Sequence, residues 1–144
     1  MHVTEFRKLA TAKKSVKHEE SILQQQVVKA FYDDPRNAKY WLFSIKNSSK
    51  MGGKQITAKN GKKIPLEAII AKREGVRAGA ADLCLLVPNK EYHGFFIECK
   101  VGNNGQSDAQ KEFEAYCIEM NYKYSCLRDF DTIMKEIKNY LANL

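Results

Sequence analysis

The stretch 82–100, DLCLLVPNKEYHGFFIECK, decides the fold of this chain. Leu83, Leu85 and Leu86 belong to one apolar run and Phe95, Phe96 and Ile97 to a second. Such runs are core strands, and a core strand rarely carries a carboxylate without a partner. Yet Asp82 opens the first run and Glu98-Cys99-Lys100 closes the second. Alternation along a strand puts Glu98 and Lys100 on one face, and Ile97 and Cys99 on the other. If the runs pair as a hairpin, Asp82 joins Glu98 and Lys100 at one sheet edge. Two carboxylates and an ammonium are then placed as a hard cation such as Mg²⁺ requires, with a lysine beside it for a phosphate or a nucleophilic water. A Glu-x-Lys pair on a solvated strand would be a simple ion pair. The apolar flanks of both strands and the basic segment before them favour the site.

That basic segment carries the whole charge excess. Between Lys46 and Arg77 there are nine Lys or Arg against two Glu, equal to the net +7 of the chain, so the remainder is balanced. A concentrated basic stretch is the footprint of a polyanion partner, most commonly nucleic acid, although a solvated lysine-rich loop has the same composition. At 144 residues and 44% hydrophobic, the chain has the length and content of one folded domain, 1–144, with a basic insertion at about 48–63. The basic, polar N-terminal stretch MHVTEFRKLATAKKSVK has no apolar signal-peptide core, and no apolar run is long enough for a membrane span. The expectation is a cytoplasmic protein with no membrane partner. Cys84, Cys99, Cys117 and Cys126 show no C-x-x-C spacing and read as reduced, buried packing residues.

Outward from the hairpin, the pattern predicts a first helix from about Glu19 to Tyr32, with Leu23, Val27, Ala30 and Phe31 as its core stripe and Asp33-Asp34-Pro35 ending it. Glu20 lies on that stripe with Gln24 one turn on; it either satisfies the helix N-terminus or is a third acidic ligand. Tyr40–Ile45 reads as an aromatic strand and Asn60-Gly61 as a turn in a hairpin-like insertion. Leu66–Lys72 reads as a short helix behind Pro65. Gly75-Val76-Arg77-Ala78-Gly79 suits a loop that approaches another backbone closely. After Lys100, Ser107-x-x-Gln110 is a capping box opening a helix to about Met120. Tyr122–Leu127 is a last strand, reached by a helical crossover and therefore parallel to its neighbour, and Asp131–Leu141 a closing helix. The fold expected is α/β, a restriction-endonuclease-like mixed β-sheet flanked by α-helices.

Glu20 with Gln24, the run Gly75-Val76-Arg77-Ala78-Gly79-Ala80-Ala81-Asp82-Leu83, then Phe96-Ile97-Glu98-Cys99-Lys100 and Gly105-Gln106-Ser107-x-x-Gln110 together resemble the VRR-NUC domain, the virus-type replication-repair nuclease of the PD-(D/E)xK superfamily. The resemblance runs from about residue 19 to 128. It implies that Glu20, Asp82, Glu98 and the backbone carbonyl of Cys99 hold a divalent metal, Mg²⁺ or Mn²⁺. Lys100 would be the catalytic lysine, and Gln110 would help position Lys100 or the phosphate. The proline of the family motif is Ala81 here, which leaves the acidic position intact.

Solitary short members of the family are typically viral or bacterial and resemble homodimeric resolvases. The resemblance therefore implies a metal-dependent endonuclease of branched DNA, resolving four-way (Holliday) junctions as a homodimer in a bacterial or phage-infected cytoplasm. Lys46, Lys50, Lys54, Lys62, Lys63, Arg73 and Arg77 are the expected DNA-backbone contacts. A nicking or flap nuclease, a restriction-type enzyme and a non-catalytic DNA-binding module are the alternatives. The last would have lost an acid or the lysine, and none is missing.

Overall fold

A computed structural model describes the backbone of residues 3–46 and 53–144, and side chains of residues 15–46 and 53–144. Helix α1 spans Val3–Asp33 and is followed by a short 3-10 turn at Pro35–Asn37. Strand β1 (Leu42–Ser44) leads to a hairpin of β2 (Gln55–Thr57) and β3 (Lys63–Pro65), then to helix α2 (Leu66–Arg73). Strands β4 (Leu83–Leu85) and β5 (Phe95–Cys99), helix α3 (Asp108–Glu119), strand β6 (Lys123–Leu127) and helix α4 (Phe130–Leu141) complete the chain.

The main sheet has the order β1-β4-β5-β6. Strand β4 pairs antiparallel with β1 and β5, with Leu83 opposite Ile97 and Leu85 opposite Phe95. Strand β6 lies parallel to β5, so the crossover through α3 is as the sequence predicts. Period-two alternation then sorts the strands into two faces. Leu83, Leu85, Phe95, Ile97 and Cys99 join Leu23, Val27 and Phe31 of α1 and Ile133, Ile137 and Tyr140 of α4 in one buried cluster. Each large apolar side chain taken fully out of water there contributes about 1.5–3 kcal/mol. On the opposite face, Phe96 meets Phe113 of α3 edge-on at 5.2 Å, and Phe113 meets Tyr124 of β6 at 6.1 Å.

Helix α1 begins at Val3 rather than near Glu19. The amphipathic stripe starts only at Leu23, but residues 3–18 contain no Gly or Pro and many good helix formers, so propensity carries the helix beyond the part that packs. Its end is as expected: Asp34 takes the extended backbone that Pro35 demands and caps the 3-10 turn by accepting from the Arg36 N–H. The aromatic strand is shorter than Tyr40–Ile45, because Tyr40 closes a turn onto the Asn37 carbonyl and Trp41 is 70% exposed. The Asn60-Gly61 turn is present, with Gly61 at φ +78° and the Asn60 side chain accepting from the Lys62 N–H. Cys84, Cys99 and Cys117 are buried, whereas Cys126 on the edge strand β6 is only half-buried. No helix among the described residues is long and apolar enough to cross a membrane.

Candidate active site

Asp82 and Glu98 lie on the α3 side of the sheet, where β4 begins and β5 ends. Asp82 stands one residue before β4, and its Oδ2 accepts a hydrogen bond from the Cys99 N–H at 2.9 Å. The carboxylate therefore bridges the two strands at the point where their ladder opens. Glu98 faces α3 and is only 2% exposed. Its Oε1 accepts a hydrogen bond from Gln110 Nε2 and lies 3.3 Å from Lys100 Nζ. Its Oε2 is buried and has no hydrogen-bond partner among the described residues. An unpaired oxygen on a buried carboxylate is costly to desolvate, so a group that satisfies it is favoured there.

Electrostatics agree with this geometry. Burial, then the Asp82 charge, push the Glu98 carboxyl up to about 7, and Lys100 offsets part of the rise. Glu20 adds the smallest upward push, which places the α1 carboxylate within electrostatic reach of Glu98. Glu20 lies well inside α1, not at its start, so the helix-terminus reading of this residue is corrected: the helix continues far beyond it toward the N-terminus. Glu98, with the Asp82 charge beside it and Glu20 at longer range, offers hard-oxygen donors of the kind a divalent cation takes. Among the described residues, no three acidic, His or Cys side chains already sit close enough together to hold one. Glu98, Lys100 and Gln110 touch directly; Asp82 reaches them through the β5 backbone, and Glu20 stands farther out.

Gln110 reconciles two readings of the sequence. Its Oε1 accepts from the Ser107 N–H at 2.8 Å, while the Ser107 hydroxyl accepts from the Gln110 N–H, which completes the capping box. With its oxygen committed to the cap, the amide must present its NH₂ elsewhere, and that NH₂ meets Glu98. The helix cap thus orients a group of the site.

The position of α3 depends on the loop before β4. Gly79 has φ +87°, and a Cβ there would lie 2.2 Å from the Ala109 carbonyl oxygen. Only glycine permits this approach, which the Gly-Val-Arg-Ala-Gly pattern predicts. The loop after Lys100 is held by a residue that no sequence motif singles out. Arg128 donates to the carbonyls of Gly102 and Asn104, each at 2.7 Å. A lone arginine after an apolar strand gives no local signal of that long-range role.

The basic residues are spread over several elements. Lys46 follows β1, Lys54, Lys62 and Lys63 belong to the β2–β3 hairpin, Arg73 ends α2 and Arg77 lies in the glycine loop; all are exposed. Among the described residues none of them makes an ion pair. Lys50 lies outside the described residues.

No family model and no curated protein matches the chain. A solved VRR_NUC domain protein is similar to it, with 32% identity and a TM-score of 0.51, over 54% of this chain. The match spans 64% of that protein's own length. The resemblance carried by the motifs, and the α/β fold with a mixed sheet between helices, are therefore borne out.

Proposed function

We propose that the chain is a metal-dependent, structure-selective endodeoxyribonuclease that hydrolyses phosphodiester bonds of branched DNA. The observation that carries this reading is the buried Glu98, clamped by Gln110 and Lys100 with one oxygen unsatisfied beside Asp82. The likeness to a VRR_NUC domain protein supports the nuclease class.

Glu20, Asp82, Glu98 and the Cys99 carbonyl would hold Mg²⁺ or Mn²⁺. A cation there supplies Lewis acidity at a phosphate oxygen and acidifies a water. The Lys100 ammonium, with its side chain only 12% exposed, orients the attacking water and offsets charge that develops on the phosphate. Gln110 keeps Glu98 in one rotamer, so the acid is pre-positioned rather than recruited. In-line attack leaves a 3′-hydroxyl and a 5′-phosphate. Lys46, Lys50, Lys54, Lys62, Lys63, Arg73 and Arg77 bind the backbone and so select shape rather than base sequence. A homodimer would set two sites on opposed strands of a four-way junction and permit paired nicks.

The test incubates wild type and Asp82→Ala with labelled four-way junction, flap, single-stranded and linear duplex DNA, in Mg²⁺, Mn²⁺ or EDTA. Metal-dependent cutting of the branched substrates, absent in the variant, is the expected result. Tight binding with no cutting in either metal would move the chain to the binding-module class. A monomer in light scattering at micromolar concentration would remove paired nicking while leaving a flap or nicking nuclease.

A further inference from the structure

We propose that a cavity adjoining the acidic cluster receives a single unpaired nucleobase of the DNA strand being cut, an inference that rests on the nuclease reading above. The cavity, open to solvent on one side, has a volume of about 610 Å³ between the end of β1, the glycine loop before β4 and helix α3. That volume is within the roughly 300–1,000 Å³ typical of pockets that enclose small molecules. Phe96, Phe113 and Tyr116 supply aromatic walls, and Val76 and Ala80 aliphatic ones. Phe96 and Phe113 already pack edge-on against each other, whereas Tyr116 is 55% exposed. A half-exposed aromatic beside an apolar cavity presents a π-face, on which any base can stack.

Two cations, Lys46 and Arg77, and two carboxylates, Glu74 and Glu112, line the cavity, so its rim offers both phosphate contacts and hydrogen-bond acceptors. Lys46 and Arg77 line it, both exposed and neither in an ion pair among the described residues, so they can meet the phosphates on either side of the base. Glu112 also lines it and offers acceptors for an exocyclic amino group.

Position ties the cavity to the site. Phe96 is two residues before Glu98 on the same face of β5, a separation of about 7 Å, and Ala109 directly precedes Gln110. A nucleotide seated on Phe96 and Tyr116 therefore presents a neighbouring phosphate to Glu98 and Lys100. Paired duplex can fill the cavity only by extruding a base, whereas a branch point or gap has an unpaired one to give. The cavity thus selects for unpaired nucleotides next to the cut.

The test measures binding of the full chain, in EDTA so that nothing is cut, to a fork with one unpaired nucleotide at the branch and to the same fork with an abasic site there. Wild type should bind the abasic fork about tenfold more weakly. Tyr116→Ala should bring the ratio near one and Tyr116→Phe should preserve it. Ala78→Trp, which fills the cavity from an exposed loop position, should also abolish it. Equal binding of the two forks by wild type overturns the proposal even where Mg²⁺-dependent cutting is present. Discrimination by a protein that cuts nothing in Mg²⁺ or Mn²⁺ keeps the pocket and removes the nuclease reading. Conversion of a dimer to a monomer by Tyr116→Ala in light scattering would assign the cavity mouth to a second copy and overturn the proposal.

Discussion

The two faces of the main sheet are built from alternate residues of the same strands, and they differ in what they bury. Beneath α1 and α4 the cluster is almost wholly apolar: Val27, Phe31, Leu83, Phe95, Ile97 and Ile133 have no measurable exposure. Beneath α3 the strands carry Phe96 and Cys84, but also Glu98, and the helix contributes Gln110. The first face is close-packed and supplies folding free energy. The second has a buried charge with an unpaired oxygen and a cavity beside it, features that weaken a core and suit a site. The scaffold thus separates stability from chemistry by period-two alternation, and each of the following substitutions tests that division.

The largest effect should come from the apolar face. Phe31→Ala empties a fully buried position and should lower stability by about 3–5 kcal/mol, read from urea unfolding. A loss below about 1 kcal/mol would mean that this face is not the main source of stability.

Next is Glu98. Its folded-state carboxyl, at about 7, holds a proton through the window from about 4.5 to 7 in which the unfolded chain has released it. Stability contributed by the protonated form is therefore lost as pH rises through that window, by about 3 kcal/mol in metal-free buffer. Glu98→Gln should remove this slope and be the more stable protein at basic pH, while cleaving nothing. Parallel pH profiles for the two chains would show that the carboxylate is not stored at a cost.

A smaller loss is expected where the faces are joined. Gly79→Ala drives a Cβ into the Ala109 backbone at a positive φ, which should cost about 2 kcal/mol and displace the start of α3. Cleavage should fall more than the loss of stability explains, because Gln110 shifts with the helix. Unchanged kcat with a lowered Tm would uncouple the loop from the site.

The smallest effect belongs to the hairpin. Lys62→Ala with Lys63→Ala should leave folding unaltered and reduce the salt dependence of DNA binding, by about one in log–log slope for each phosphate that the protein no longer neutralises. An unchanged slope would return these lysines to solubility alone.

Local pattern made much of this legible. The Ser107-x-x-Gln110 box, the Asn60-Gly61 turn and the apolar runs 83–86 and 95–97 are each short-range signals, and each element stands where expected except that β4 ends at Leu85 and leaves Leu86 60% exposed. The start of α1 was not legible, because a polar helix projecting beyond its packed part has no hydrophobic period to reveal it. Arg128 was not either, since its partners are 24 and 26 residues away in sequence.

By itself, the sequence determined that Glu98 and Lys100 share a face, that Asp82 lies at the entry to the neighbouring strand, and that positive charge collects before them, because alternation and composition are properties of the chain alone. Only the tertiary structure decided that Glu98 is dry, that Gln110 caps a helix and clamps the acid at once, and that Glu20 stands at the margin of the cluster. Desolvation and the Gln110–Glu98 contact require α3 to be docked on the sheet, and no local pattern specifies how residues 12 apart in sequence meet across that packing.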